Sequence, residues 1–290
     1  MKRCLSCEHA HESADTTCPA CGHTPRCIDG VVTYAPDHAL GADGFKPEYF
    51  SHLSKLEPAN FWFRARNRLI LWAMKKYCVQ PHSFLEIGCG TGYVLSAIVQ
   101  QNPDTVATGS ELFVDGLNIA AQRVPSATFV QMDARSIPYV EEFDVVGAFD
   151  VIEHIKDDEL VLAQIYQALG DSGRLILTVP QHKRLWSQAD VYACHQRRYS
   201  AKELHRKVRA AGFKIERTTS FVTTLMPAMF ASRQFGKKQS ADRFDSTKEL
   251  DIPSWLNSIF YLMLSFEIVL IRLGVNFPIG GTRLLVARKQ

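Results

Sequence analysis

Ser83-Phe84-Leu85-Glu86-Ile87 runs straight into Gly88-Cys89-Gly90-Thr91-Gly92, and that turn runs straight into Tyr93-Val94-Leu95-Ser96-Ala97-Ile98-Val99. A short apolar run reads as a buried strand, and the apolar spacing after the glycines is that of a helix. A strand, a glycine-rich turn and a helix in this order make a βα unit that can bring its backbone close to a ligand. The helix N-terminus then supplies free N–H groups. The pattern repeats: 105–110, 127–131, 143–149 and 173–179 are further short apolar runs, and 157–169 has helical spacing. Strands alternating with helices predict an α/β chain with a mostly parallel sheet covered by helices on both faces.

Ligands of such sheets bind at the carboxyl ends of the strands, so the acidic residues there are candidates for contact. Glu111 follows the second strand, where a carboxylate can accept both hydroxyls of a ribose. Asp133, within Met132-Asp133-Ala134, follows the third and can accept from an adenine amino group. Asp150 ends the fourth and leads into Val151-Ile152-Glu153-His154. In order and spacing, LEIGCGTG, Glu111, the Met132-Asp133-Ala134 turn and FDVIEHI resemble the motifs of class I S-adenosylmethionine-dependent methyltransferases. The nearest look is to the branch containing quinone-biosynthesis and related small-molecule enzymes. The similarity spans about residues 60–220 and, more loosely, 282–289. A dehydrogenase shares the glycine turn and ribose carboxylate, but its fingerprint is GxGxxG, whereas GxGxG stands here with Glu86 two residues upstream.

The resemblance implies a Rossmann-like methyltransferase fold with a seven-stranded mostly parallel sheet, and S-adenosylmethionine as cofactor. It implies that Glu86 and the turn Gly88, Cys89, Gly90 and Gly92 border the methionine and ribose end, that Glu111 and Leu112 hold the ribose, and that Asp133 and Ala134 hold the adenine. Asp150 and His154 are expected near the sulfonium and the acceptor opening. Methyl transfer from a sulfonium is an in-line displacement, in which the protein aligns the nucleophile and removes its water. A hydroxyl acceptor gains from a general base. His154 is the first candidate and His182 the second; a capping or packing histidine is the plainer alternative for His154. His182 opens a polar loop, 181–200, that is expected to shape the acceptor pocket. Within it Arg197, Arg198 and Tyr199 either meet substrate or lock the loop onto the sheet.

Five of the eight cysteines lie in the first 27 residues. Cys4-Leu-Ser-Cys7 and Cys18-Pro-Ala-Cys21 are two CxxC pairs, which suit tetrahedral Zn(II) in a closed, structural site. Gly22 suits the left-handed turn of such a knuckle. His9, His11 and His23 could compete as ligands but would break the pairing, and Cys27 lies outside it. The expected organisation is a zinc ribbon over 1–27, a linker over 28–45 and a core over 46–220 and 276–290. An apolar insertion, 221–275, interrupts the core. The aromatic and basic run Phe61, Trp62, Phe63, Arg64 and Arg66 falls in one or two helices after residue 46.

The insertion holds two apolar stretches, 221–235 and 254–275, around a polar segment that reads as a mobile loop. Glu267 and Arg272 argue against a spanning helix. The second stretch is therefore expected to be a lid over the acceptor pocket or a helix lying in the plane of a bilayer. Either favours a small, hydrophobic or lipid-linked acceptor. A 46% hydrophobic and 22% charged chain of net charge +3 is that of an ordinary globular protein, not a dedicated nucleic-acid binder. No apolar signal region is visible at the N-terminus, so a cytoplasmic location is expected, peripheral on the inner face of the membrane if the insertion meets lipid. An RNA methyltransferase using the ribbon to hold RNA, a sugar methyltransferase and a non-catalytic cofactor-binding scaffold remain as alternatives.

Overall fold

The computed structural model describes residues 1–12, 15–39, 47–235 and 252–290. The segment expected to be a mobile loop, 236–251, lies outside the described residues, as does most of the end of the expected linker.

The N-terminal module is a two-stranded antiparallel pair, β1 (Lys2–Arg3) and β2 (Ala10–His11), followed by a hairpin of β3 (Arg26–Ile28) and β4 (Val31–Thr33). Two helices come next, α1 (Pro47–Leu56) and α2 (Phe61–Tyr77). The alternating body then runs β5 (Ser83–Ile87), α3 (Tyr93–Gln101), β6 (Val106–Glu111), α4 (Val114–Arg123) and β7 (Thr128–Gln131). It continues with β8 (Phe143–Phe149), α5 (Asp158–Ala168), β9 (Leu169–Pro180), α6 (Gln188–Tyr192), α7 (Ala201–Ala210) and β10 (Phe213–Phe221). Helices α8 (Met226–Phe235) and α9 (Ser254–Arg272) precede the last strand, β11 (Thr282–Lys289).

One sheet in the order β10-β11-β9-β8-β5-β6-β7-β4-β3 holds the body together. From β9 to β4 every pairing is parallel, and β11 enters antiparallel between β9 and β10. The expected seven-stranded core is β10 to β7, and β4 and β3 extend it to nine. Successive side chains of a strand point to opposite faces, and both faces are buried here. Phe84 and Val145 join α2, α3 and α9, packing against Leu69, Ile70, Leu95, Ile98 and Ile268. Leu85 and Val146 join α5 and α7, against Val161, Ile165, Leu204 and Val208. Burial on both faces is why these strands read as continuous apolar runs.

Two expectations need correction. The stretch taken as a linker from residue 28 carries β4, whose Val32 and Thr33 pair in parallel with Val130 and Gln131 of β7. Ile28-Asp29-Gly30-Val31 makes the hairpin, with φ of 51° at Asp29 and 80° at Gly30. Positive φ at both central residues is what a two-residue type I′ turn requires. The Gln131 amide ties the hairpin's exit to the body, bonding both the N–H and the carbonyl of Ala35 at 3.0 and 2.8 Å.

The insertion also sits differently from the lid reading. Helix α9 lies beside α2 and buries Leu264, Ile268 and Ile271. Several of its polar side chains face protein: Arg68 of α2 donates to Tyr261 Oη at 3.1 Å and Ser265 Oγ at 2.7 Å. Asn257 bonds the Phe61 N–H at 2.7 Å and the Ala59 carbonyl at 3.0 Å. Buried Glu267 accepts the N–H groups of Thr223 and Thr224 just before α8. The outward side carries large apolar side chains, with Trp255, Leu262 and Phe266 each at least 60% exposed. Among the described residues this helix is long and apolar enough to cross a membrane by length and composition, and only 22% of it is buried.

Candidate active site

A cavity of about 620 Å³ opens at the carboxyl ends of β5, β6, β7 and β8. The turn after β5 forms its floor. Gly88 has φ +65°, and a Cβ there would stand 2.5 Å from Val151 Cγ2, so only glycine brings the backbone this close to the turn after β8. Gly92 lines no part of the cavity. At φ +73° it caps α3, and a Cβ there would meet Ala120 of α4 at 3.0 Å, so its role is helix packing.

Glu86, Gly88, Cys89, Gly90, Glu111, Leu112, Asp133, Ala134 and Asp150 all line the cavity, as expected. Glu86 is 2% exposed, and its Oε2 has no hydrogen-bond partner. Burial pushes its carboxyl well above the usual carboxylate range, against the pull of Arg66. Such an orphaned acceptor fits a cationic donor such as the ammonium of an amino acid. Glu111 accepts from Gly90 N at 3.1 Å and Leu112 N at 2.7 Å. Burial raises it, and these N–H groups pull it back. Burial also acts on Asp133, but the Arg135 guanidinium, bonded to it at 2.5 to 3.0 Å, outweighs that and holds it low.

Asp150 takes a left-handed φ of 57° at the end of β8, a conformation that costs energy for a non-glycine residue and gathers at functional sites. Its carboxylate pairs with Arg66 and accepts from Thr178 Oγ1 at 3.0 Å. The Arg66 guanidinium in turn lies 4.5 Å from the ring centroid of Trp62. Reading the sequence missed what this implies. The roof over the cavity is α1 and α2, through Tyr49, Phe50, Leu53, Trp62, Phe63 and Arg66, and no described residue of 221–275 lines it. The signal was present in the aromatic and basic run at 61–66. Helix α1 is clamped by Glu57, which accepts from Thr91 Oγ1 and Arg123 Nη1, each at 2.7 Å.

His154 lines the cavity, with its ring 4.6 Å from that of His195 at an interplanar angle of 82°. Burial pushes it down to about 4, helped by His195, so the ring is neutral at neutral pH. His182 does not reach the cavity. The chain turns at φ +63° directly after β9 and carries it toward Arg283 and Arg198; burial and these two charges lower it. Arg197 pairs with Asp158 at 2.8 Å, Arg198 with Asp190 at 2.7 Å, and Tyr199 Oη donates to Asp158 at 2.5 Å. These three side chains therefore fasten the 181–200 loop.

Away from the cavity, Cys4, Cys7, Cys18 and Cys21 form a cluster that could hold a metal ion. Cys4 and Cys21, and likewise Cys7 and Cys18, stand 3.7 Å apart between sulfurs. A tetrahedron with bonds of roughly 2.3 Å has edges of about 3.8 Å. His9, His11 and His23 stay outside the cluster.

The family described as methyltransferase domain matches residues 54–218, more than half of the chain. A "probable S-adenosylmethionine-dependent methyltransferase" of Mycolicibacterium smegmatis is 28% identical over 171 residues, which cover 56% of this chain and 63% of that protein. The chain thus matches less than two thirds of that relative's length. The demethylmenaquinone methyltransferase of Thermotoga maritima is 27% identical over 34% of this chain and 44% of its own. Among solved structures, a complex of the Haloferax volcanii Trm112 methyltransferase activator with a methyltransferase contains a chain of the same fold. Its TM-score is 0.55 at 14% identity, over 83% of this chain and 93% of that one. With the glycine turn, the strand-end carboxylates and the sheet order in place, the family match is decisive: the chain belongs to the methyltransferase-domain family.

Proposed function

We propose that the chain transfers a methyl group from S-adenosylmethionine to a small, hydrophobic or lipid-linked acceptor. The observation that carries this is buried Glu86, its free oxygen in a cavity walled by a glycine turn and three further strand-end carboxylates. In this reading Glu86 and the Gly88–Gly90 backbone hold the amino-acid end of the cofactor. Glu111 and Leu112 hold the ribose, and Asp133 and Ala134 the adenine. The cofactor supplies a methyl group already activated on a sulfonium. The chain's own residues orient, dehydrate and manage charge. Asp150, pinned by Arg66, borders the sulfonium side. Neutral His154 can accept the proton of an acceptor hydroxyl. Tyr49, Phe50, Trp62 and Phe63 make the apolar wall that favours a greasy acceptor, which fits the relative named for demethylmenaquinone. The four-cysteine cluster is proposed to hold a structural Zn(II).

The test pairs cofactor binding with turnover. Glu86 has a raised carboxyl, so it ionises only as pH climbs, and affinity for the cationic cofactor should rise with pH in the wild type. Glu86→Gln should weaken binding by roughly 10-fold, the worth of one charge-assisted hydrogen bond, and should flatten that pH dependence. His154→Ala should instead lower kcat by about 100-fold or more at unchanged cofactor affinity. Binding as tight and as pH-dependent in the Gln variant as in the wild type would remove the proposal's main support.

The exposed face of α9 favours peripheral contact with a bilayer, because a large apolar surface without a partner is unusual on a soluble domain. Sedimentation with vesicles of anionic phospholipid should carry the wild type down and leave a Trp255→Ser/Leu262→Ser/Phe266→Ser variant in solution. Equal partitioning of the two would exclude this face.

A further inference from the structure

We infer that Glu153, His154 and His195 form a second metal site, for a divalent transition-metal ion, in the wall of the cavity. Their ligand atoms all lie within 4.8 Å of one another. Glu153 is fully buried, and neither carboxylate oxygen has a hydrogen-bond partner. The two nearby guanidiniums are engaged elsewhere, Arg66 with Asp150 and Arg198 with Asp190. A buried carboxylate left wholly unpaired is a rare arrangement unless something cationic meets it. The two imidazoles beside it are the ligands that a transition ion would add.

The geometry around the cluster is that of a supported site. His195 Nδ1 bonds Asp190 Oδ1 at 2.9 Å. Asp190 is itself buried and fixed by Arg198 at 2.7 Å and by the Ser187 N–H at 2.8 Å. A carboxylate on one ring nitrogen fixes the tautomer and leaves the Nε2 lone pair free, as is usual for histidines that bind metal. The two chain segments are stapled together, since Gln196 N donates to the Glu153 carbonyl at 2.7 Å. Metal–ligand bonds of about 2.1 Å need ligand atoms roughly 3.0–3.5 Å apart, so small side-chain rotations bring the three into range.

Two imidazoles and one carboxylate suit Zn(II), Fe(II), Mn(II) or Co(II) better than Mg(II) or Ca(II). Glu153 lies behind the wall, while His154 and His195 line the cavity. The remaining coordination positions therefore open toward the acceptor, the arrangement of a catalytic rather than a closed site. An oxygen donor of the acceptor would fill one of them, and His154 would then act as ligand rather than as free base. That role in activating the acceptor rests on the methyl-transfer reading above; the existence of the site does not.

The experiment is a metal count followed by a Co(II) titration of the full chain, with the ion of the four-cysteine cluster left in place. The wild type should take up one further equivalent of Co(II), with a visible spectrum of nitrogen and oxygen ligation that lacks thiolate charge-transfer bands. Glu153→Gln and His195→Ala should each lose that equivalent while keeping the cysteine-bound ion and cofactor binding. No further equivalent in the wild type, a thiolate-type spectrum alone, or full uptake by both variants would overturn the site. Cofactor binding without the second ion would overturn the site and spare the methyl-transfer reading. A second ion without cofactor binding would do the reverse.

Discussion

Gly88→Ala is expected to cost S-adenosylmethionine affinity on the order of 100-fold, and Gly30→Ala to cost none. The two glycines share a left-handed backbone, with φ +65° and +80°. A Cβ in that region carries a penalty of roughly 1–2 kcal/mol at either position. They differ in the space around them. At Gly30 nothing lies within 4 Å of the added methyl, whereas at Gly88 it would meet Val151 Cγ2 at 2.5 Å and Cγ1 at 3.1 Å. Overpacking of that kind adds about 1–3 kcal/mol. The strain falls on the cavity, because Val151 follows Asp150, and moving it disturbs the Asp150–Arg66 pair beneath the roof. Calorimetric titration of both variants checks this, with thermal melts to confirm folding; Gly30→Ala should shift Tm by only a few degrees. Val151→Ala in the Gly88→Ala background should recover part of the lost affinity. If Gly88→Ala binds like the wild type, the close approach of the two turns has no part in holding the cofactor.

Much of this site could be read directly from the residues, for identifiable reasons. A strand buried on both faces leaves an apolar run, its end is marked by glycine or acid, and Glu86, Glu111, Asp133 and Asp150 all stand at such ends and line the cavity. The CxxC pairs were equally plain, because ligand type and spacing define the cluster without help from the fold. What escaped depends on distant contacts. Val31-Val32-Thr33 is too short to show a period, and its Asp29-Gly30 turn was lost in a stretch whose composition suggested a linker. The glycine spacing grouped Gly92 with the floor of the cavity, but its neighbour is Ala120 of a different helix. His182 was placed by its position after a strand, yet the backbone turn immediately after β9 decides which way it goes. Composition alone does not separate the apolar insertion from α1 and α2 as cover for the cavity; only the sheet's geometry shows which helices lie over the carboxyl edge. Nor does spacing alone show that Tyr261 and Ser265 of α9 are the groups that meet Arg68 of α2.

Stripping the ion from the four-cysteine cluster is expected to do more than unfold the first 27 residues. The knuckles bury little apolar surface of their own, and in isolated zinc modules metal binding supplies roughly 10–16 kcal/mol of apparent folding energy, so without an ion the ribbon should not hold. Its consequences travel because the module is stitched to the body. Arg3 donates to Gln164 Oε1 at 2.6 Å and to the Ile137 carbonyl at 3.1 Å, and its own N–H meets the Pro138 carbonyl at 3.0 Å. Beyond the ribbon, β4 covers the edge of β7. Gln131 then links Ala35 to the Leu112 carbonyl at 2.9 Å, and buried Ala39 accepts from Val114 N at 3.1 Å. Both links sit behind Glu111 and Leu112, the side of the cavity proposed to hold the ribose. A strong chelator, or Cys4→Ser with Cys18→Ser, should therefore add an early melting step and lower the Tm of the body by several degrees. It should also weaken cofactor binding by about 3- to 10-fold, on the order of 1 kcal/mol, and bare the β7 edge to association. Melts followed by cofactor titration, with and without the ion, decide the matter. An unchanged body Tm and unchanged affinity would show the module to be an independent appendage. A loss of both would show that it buttresses the ribose side of the cavity from behind.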